Sequence, residues 1–128
     1  MKLITKELEK EFEKYPLMSQ DGLKGNAIVV AKFFNPTGVG TWLITEAEKQ
    51  ENGDYLMFGY CHFGDDSMAE FGYVSLSELQ NIKLPFGLKI ERDLYFKKCT
   101  MLEAMEKEGM EIPDYLKKGQ EEEEEDER

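Results

Sequence analysis

The fold class is decided by residues 27–45, which read AIVVAKFFNPTGVGTWLIT. Residues 27–34 are rich in β-branched and aromatic side chains and are apolar on both faces, a pattern that predicts a strand in the centre of a sheet. Residues 35–40 hold one proline and two glycines and predict a turn, and residues 41–45 predict a returning strand. The stretch therefore predicts a β-hairpin.

Further strands continue this pattern along the chain. Residues 55–61 and 70–74 predict a third and a fourth strand. Because the connections between the four strands are too short to hold crossover helices, we expect an antiparallel meander. Residues 88–96 predict a fifth strand, in which Arg92 points to the same face as Ile90 and other apolar residues.

Helix signals stand on both sides of the predicted strands. Thr5 can cap a helix that runs to about Tyr15, where Pro16 ends it. The sequences SLSE at 75–78 and TMLE at 100–103 are capping boxes, each of which opens a short helix. We therefore expect one helix before the sheet and short helices after its fourth and fifth strands.

Glycines interrupt two of the predicted strands. The tripeptide Phe-Gly-Tyr occurs at 58–60 and again at 71–73, which places Gly59 and Gly72 in mid-strand. A glycine in that position marks a bend of the sheet or a close approach by another group. Together the patterns predict a single α+β domain over residues 1–118, with a mainly antiparallel five-stranded curved sheet, an N-terminal helix and short C-terminal helices.

The chain is strongly acidic, since 27 acidic residues against 16 lysines and arginines give its 128 residues a net charge of -11. Residues 121–128 alone contribute -6, which leaves -5 on residues 1–120. A run of like charges without an apolar member predicts a flexible acidic tail over residues 119–128. The acidic members of this tail are Glu121, Glu122, Glu123, Glu124, Glu125, Asp126 and Glu127.

The charge and composition favour some partners and locations over others. Carboxylates repel nucleic-acid phosphates and attract basic surfaces, so we expect a protein partner with a basic surface and no direct binding of nucleic acid. The first residues lack the apolar run of a signal peptide, and no apolar stretch approaches the roughly 20 residues that span a bilayer. Cys61 and Cys99 lie far apart in the sequence, as is typical of reduced thiols. We therefore expect a cytoplasmic protein that does not enter a membrane.

The residue types that most often carry catalysis are scarce. The single histidine, His62, follows Cys61 at the end of a predicted strand, and adjacent strand residues point to opposite faces, which separates a thiol from its base. One histidine and two distant cysteines do not make a zinc site. The sequence GVG at 38–40 precedes a strand instead of a helix, which argues against a dinucleotide site. We expect a non-enzymatic chain with no catalytic residue, no cofactor and no metal.

One candidate binding surface is made of carboxylates. Asp65 and Asp66 lie on the loop before the fourth strand, and Glu70 begins that strand. With the acidic tail, they can present negative charge to a basic partner. The alternative for the loop is a solvated turn, and the alternative for the tail is solubility alone.

A second candidate site surrounds Arg92, whose guanidinium demands a carboxylate partner if it shares an apolar face. Glu46 and Glu70 are the candidate partners, because Glu91 and Asp93 project to the opposite face of the predicted strand. One interpretation is a structural ion pair that fixes the sheet. The other is a small-ligand or enzymatic pocket in which Arg92 acts with these carboxylates.

Several strings of the sequence, in the same order, resemble the bacterial domain-of-unknown-function family 2958. The resemblance covers roughly residues 1–100 and leaves out the segment after Thr100. The strings that carry it are LITKEL at 3–8, VVAKFF at 29–34, TW at 41–42, TE at 45–46, FGY at 58–60, GY at 72–73, SLSEL at 75–79 and IERDLYF at 90–96.

The resemblance brings a biological setting and no catalytic residue. It implies a protein carried by plasmids, phages and other mobile elements, often near anti-restriction genes. Small acidic proteins of such elements frequently block host nucleases by placing carboxylates where DNA phosphates bind. The resulting hypothesis is a protein-binding module that inhibits a host defence nuclease such as a CRISPR or restriction enzyme. The alternatives are the ligand site around Arg92 and an accessory subunit of a larger complex.

Overall fold

The computed structural model describes residues 1–117, so the predicted tail at 119–128 and the end of the predicted domain at 118 lie outside the described residues. Its helices and strands, in chain order, are α1 (Lys6–Lys14), β1 (Ile28–Val29), β2 (Ala31–Phe34), β3 (Thr41–Lys49), β4 (Tyr55–His62), β5 (Glu70–Ser75), α2 (Leu76–Gln80), β6 (Glu91–Arg92), β7 (Cys99–Thr100) and α3 (Met101–Lys107). Residues 114–117 add one helical turn.

The main sheet has five antiparallel strands in the order β5-β4-β3-β2-β6. Short connections join each of the strands β2 to β5 to the next. Such connections are too short for the crossover that parallel strands need, so consecutive strands pair antiparallel. The sheet is open, with β5 at one edge and β6 at the other. The predicted α+β class and the meander are therefore confirmed.

The single strand predicted over residues 27–34 is wrong, because the chain divides it at Val30. β1 pairs with β7 in a separate two-stranded ladder, whereas β2 enters the main sheet between β3 and β6. Val29 is fully buried on the α3 side, and Ala31 is buried on the α1 side. The apolar run over residues 27–34 thus contributes side chains to two hydrophobic cores. The strand at the centre of the sheet is β3.

The strand predicted over residues 88–96 is also wrong in its extent. Only β6 pairs with β2, because Asp93 then bends the chain through a side-chain hydrogen bond in which its carboxylate accepts from the Tyr95 N–H at 2.9 Å. Such an Asx turn competes with strand pairing. As a result Leu94 and Tyr95 are exposed, whereas the alternation placed Leu94 on the inner face.

Helices cover both faces of the sheet. α1 and α2 pack on one face, where Phe12, Trp42 and Leu79 belong to the larger core. α3 and the turn at 114–117 pack on the other face around Tyr60 and Met105. All three predicted caps are confirmed, with a Thr side chain before α1 and complete capping boxes before α2 and α3. Within residues 1–117, no helix combines the length and apolar character needed to cross a bilayer.

A β-bulge in β3 sets the direction of its later side chains. Leu43 pairs with Tyr60, and after the register shift between Ile44 and Glu46 it is Glu46 that pairs with Phe58. Because the extra residue reverses the alternation, Glu46 shares the α3 face with Leu43 instead of entering the core under α1. The bulge therefore turns a carboxylate toward the α3 side of the sheet.

Gly59 of β4 makes the close approach at the bulge possible. A Cβ atom at this position would lie 2.1 Å from the carbonyl oxygen of Leu43 and 2.8 Å from the Cα of Ile44, both main-chain atoms that cannot rotate away. Gly72, its partner on β5, has no atom within 4 Å of the corresponding position. Of the two mid-strand glycines, Gly59 is the one that packing requires.

These two glycines give a matched test of the bulge. We expect Gly59→Ala to lower the free energy of unfolding by about 2–4 kcal/mol, because the methyl group collides with backbone. Gly72→Ala should change it by less than about 1 kcal/mol. Urea unfolding followed by Trp42 fluorescence measures both. If both variants lose the same free energy of unfolding, the close approach of β3 to β4 does not require glycine at position 59.

Candidate functional site

The predicted acidic loop is held in shape by its own carboxylates. Asp65 caps the single turn Asp66–Met68 by accepting hydrogen bonds from the main-chain N–H and the hydroxyl of Ser67. Asp66 lies 2.7 Å from Nε2 of His62 and accepts from the N–H of Glu111 at 3.0 Å. These bonds, the side-chain bonds foremost, lower the pKa of both aspartates, so both stay ionised at neutral pH.

Glu70 lies at the other end of this loop, at the first position of β5, and its side chain is exposed. It pairs across the strands with Cys61, a half-buried thiol. Burial, followed by the negative charge of Glu70, raises the pKa of the Cys61 thiol to about 11. Cys61 is therefore a protonated, unreactive thiol at neutral pH.

Arg92 does not have the carboxylate partner that the sequence analysis expects. Its Nη1 donates to the carbonyl oxygens of Leu3 at 2.6 Å and of Lys2 at 3.2 Å. Among residues 1–117 no carboxylate lies within ion-pair distance of this guanidinium. The physical reason is topological, because β6 and β5 are opposite edges of the sheet, which keeps Arg92 away from Glu70. Arg92 instead ties the segment before α1 to the sheet.

The other members of the Arg92 group are also dispersed. Glu46 lies on β3, separated from β6 by β2. Asp93 lies 3.6 Å from the ammonium of Lys32, which also contacts Glu108. Glu91 lies on the edge strand β6, where it pairs with Phe34 of β2, and it has no ion pair within the described part of the chain. Of the predicted pocket, Arg92 and Asp93 line one cavity of about 300 Å³, and Glu46 and Glu91 are not part of its lining.

Glu46 is the most deeply buried carboxylate of the described residues, with 5% of its surface exposed. Its Oε1 accepts from the N–H of Met18 at 2.8 Å, and its Oε2 accepts from the N–H of Gln20 at 2.9 Å. No lysine or arginine within residues 1–117 lies at ion-pair distance from it. Its negative charge is therefore met by main-chain dipoles alone.

Gln20 completes this arrangement from the loop after α1. The side chain is buried, and its amide nitrogen donates to the carbonyl oxygens of Ile28 and Thr45, both at 2.8 Å. Its amide oxygen accepts from the N–H of Ile28 at 2.6 Å. Thr45 is the bulged residue, so Gln20 satisfies a carbonyl next to Glu46 at the bulge. Glu46 and Gln20 together bind the loop to β3.

A cavity of about 320 Å³ opens above Glu46 on the α3 face. One wall is aromatic: the rings of Phe58 and Phe71 stack with centroids 5.7 Å apart at 12°, and Tyr73 meets Phe58 edge-on at 5.0 Å. Tyr115 and the loop after α1 form other parts of the lining. Tyr73 is 56% exposed, so the mouth of the cavity is open to solvent.

Sequence reasoning missed this cavity. Glu46 appears there only as a partner for Arg92, and Gln20 carries no pattern that distinguishes it from a loop residue. The one available signal is the repeated tripeptide Phe-Gly-Tyr, since Phe58 begins one copy and Phe71 and Tyr73 flank the glycine of the other. The paired register of β4 and β5 then aligns these rings on one face.

The role of Arg92 can be tested by removing its charge while keeping its length. We expect Arg92→Met to lower the free energy of unfolding by about 1–2 kcal/mol, because two charge-assisted hydrogen bonds to carbonyl groups are lost. Lys89→Met, at an exposed position with no hydrogen bond, is the control and should have no measurable effect. Urea unfolding measures both variants, and an unchanged Arg92→Met would contradict the structural role.

The raised pKa of Cys61 predicts slow alkylation. At pH 8 a thiol with a pKa of about 11 has roughly 100-fold less thiolate than one with the ordinary value of 9.0. We therefore expect iodoacetamide to modify Cys61 about 100-fold more slowly in the folded chain than in urea, with a rate that rises as the pH approaches 11. Peptide mass spectrometry measures the extent of modification. Equal rates in the folded and unfolded chain would contradict the burial of this thiol.

Comparison with known proteins confirms the family that the sequence resembles and extends the match beyond Thr100, which the sequence analysis took as its end. The family described as "Protein of unknown function (DUF2958)" matches residues 3–110, a range that contains α1 to α3 and all the strands named above. The match ends before Tyr115 in the cavity wall. No curated protein and no solved structure matches the chain. The chain therefore belongs to the DUF2958 family of proteins of unknown function.

Proposed function

We propose that this chain is a non-enzymatic module of a bacterial mobile element, acting in the cytoplasm by binding a protein with a basic surface. In this proposal the partner is a host defence nuclease, such as a CRISPR or restriction enzyme, and binding inhibits it. The observation that carries the proposal is a segment at one edge of the sheet that has acidic residues and no lysine or arginine of its own. This segment, the acidic edge, comprises residues 50–82, which form β4, β5 and α2.

The acidic edge holds six carboxylates and no lysine or arginine. The six residues are Glu51, Asp54, Asp65, Asp66, Glu70 and Glu78. In contrast, residues 83–98, which include β6 at the opposite edge, hold five basic and two acidic residues. The segment at the β5 edge therefore carries net negative charge and the segment that contains β6 net positive charge, which favours approach of a basic partner from the β5 side.

Three carboxylates of the acidic edge, Asp54, Asp65 and Asp66, are fixed in position by hydrogen bonds. Asp54 accepts from the hydroxyl of Ser77 at 2.6 Å, and Asp65 and Asp66 are held by the bonds described above. The hydrogen bond from Ser77, as the largest cause, lowers the pKa of Asp54, so this group is ionised at neutral pH. Charges held at fixed separations can match a fixed set of basic groups at a smaller entropic cost than mobile ones.

The contacts of Arg92 support a binding module over the alternative site around Arg92. The guanidinium is occupied by main-chain carbonyls, Glu46 and Glu70 lie on other strands, and Asp93 is paired with Lys32. In the proposed module, residues 121–127 add long-range attraction, whereas the acidic edge supplies the geometry. The mobile-element setting comes from the family resemblance.

The test is a DNA-cleavage assay with purified CRISPR nucleases and restriction enzymes, in which the full chain is added over a salt series. We expect inhibition that weakens between about 50 and 200 mM salt, as for any competitor of DNA phosphates. Asp65→Asn/Glu70→Gln should weaken inhibition by about tenfold. The matched control, Glu7→Gln/Glu13→Gln, changes the net charge equally on exposed positions of α1 and should change inhibition by less than about twofold.

Two further outcomes decide the proposal. Deletion of residues 121–128 should flatten the salt dependence and reduce inhibition, because it removes charge of -6. If the chain neither binds nor inhibits any nuclease of the panel, the proposed function is wrong. If both double variants lose inhibition equally, net charge acts without the acidic edge, and the assignment of this surface is wrong.

A further inference from the structure

We propose that the cavity above Glu46 receives one arginine side chain of the protein partner. This inference rests on the proposed function, because it names the group that a basic partner contributes. It starts from three properties of the cavity: a buried carboxylate at its floor, an aromatic wall, and a volume suited to one side chain.

The carboxylate of Glu46 supplies the charge. A buried charge is usually paired with an opposite one, yet within residues 1–117 Glu46 has only the two N–H groups of Met18 and Gln20. An ionised carboxylate has about four acceptor positions, so two remain for a ligand. A guanidinium can fill both with parallel N–H donors. A cation at this position completes the hydrogen bonding and neutralises the charge.

The aromatic wall selects the kind of cation. The faces of Phe58, Phe71 and Tyr73 carry negative quadrupoles that attract a cation lying within about 6 Å of a ring. Arginine suits this wall better than lysine, because its guanidinium is planar, stacks on rings and is more weakly hydrated. Covering Tyr73, which is more than half exposed, also removes apolar surface from water.

The size and the negative charge of the cavity disfavour a dinucleotide and an anionic ligand. About 320 Å³ lies at the lower end of ligand pockets, which suits one long side chain better than a dinucleotide. Among the charged residues that line the cavity, Asp21 and Glu46 against Lys24 leave a net charge of -1, which repels a phosphate or carboxylate ligand. Residues 121–127 carry that same sign, so electrostatics oppose their entry as well.

The position of the cavity links it to the proposed partner. Phe58, Phe71 and Tyr73 lie on β4 and β5 with their rings on the α3 face, so the aromatic wall is at the same edge of the sheet as the acidic residues, although α2 with Glu78 packs on the opposite face. A basic surface drawn to the β5 side therefore meets the mouth of the cavity. The cavity then binds one arginine side chain of the partner. Such buried anchor side chains contribute most of the binding energy in many interfaces.

The test compares two small probes that have nearly the same shape. Nα-acetyl-arginine amide carries the guanidinium, and Nα-acetyl-citrulline amide replaces it with a neutral urea. In NMR titrations of the full chain, we expect the arginine probe to shift the amide signals of Gln20, Glu46 and Tyr73 to saturation. The citrulline probe should shift them at least about tenfold more weakly. Equal responses to both probes, or arginine shifts confined to the loop at 63–70, overturn the proposal.

Variants of exposed tyrosines show whether the aromatic wall takes part. Tyr73→Ala should weaken binding of the arginine probe about fivefold, because one cation-binding ring is lost. Tyr95→Ala is the control: Tyr95 is 92% exposed, lies in the turn after β6 and is not part of the cavity. Its affinity for the probe should be unchanged. An unaffected Tyr73→Ala overturns the role of the wall even if Glu46 variants fail to fold.

The carboxylate and the chain's own lysine are tested next. Glu46→Gln should abolish binding of the arginine probe, and its urea unfolding shows whether the loss reflects the site or the fold. Lys24 lines the cavity and has no ion pair within residues 1–117, so Lys24→Gln tests whether the chain's own ammonium occupies the site. Arginine binding that appears only in Lys24→Gln overturns the proposal. Binding of equal strength in the unsubstituted chain supports it.

The nuclease assay separates this inference from the proposed function. If both hold, Tyr73→Ala weakens inhibition about fivefold and Tyr95→Ala leaves it unchanged. If Asp65→Asn/Glu70→Gln reduces inhibition while Tyr73→Ala does not, the inference is wrong and the proposed function stands. If no nuclease is inhibited although the arginine probe binds at Glu46, the proposed function fails and the cavity is a cation site for another purpose.

Discussion

The extra residue in β3 determines how this molecule is built around its central strand. Before the bulge, Leu43 faces α3 and Ile44 faces α1; after it, Glu46 faces α3 and Ala47 faces α1. Without the bulge, a charged side chain would enter the larger core, at a cost of several kcal/mol for an unpaired buried carboxylate. The extra residue instead places that charge where the loop after α1 can meet it with N–H groups.

The loop after α1 and the bulge depend on each other. Gln20 satisfies the carbonyl oxygen of Thr45 beside the interrupted ladder, and its own N–H is satisfied by Glu46. Met18 adopts a positive φ of 75°, uncommon for a residue with a side chain, while its N–H also points to Glu46. The Glu46 carboxylate thus holds the loop after α1 against β3.

The sequence predicted the elements whose signals are local. Thr5 and the two capping boxes gave the helix starts, and the spacing of turns gave the antiparallel order of β2 to β5. The sequence-based prediction was wrong where contacts between distant parts of the chain determine the structure. An apolar run over residues 27–34 contains no sign that its halves pair with different strands, and the partners of Arg92 come from carbonyl groups, which have no sequence signature. The cavity was missed because the bulge that turns Glu46 to the α3 face depends on the pairing of β3 with β4.

The small ladder between β1 and β7 has a consequence for the order in which the domain forms. Val29 pairs with Cys99, some seventy positions later in the chain, and is buried against the core to which Met101 and Met105 belong. On the ribosome, the hairpin strands and α1 emerge early, whereas this second core has to wait for the arrival of α3. The α3 side of the sheet, including the part of the cavity lining formed by Tyr115 and Leu116, is therefore the last part of the domain to be completed during synthesis.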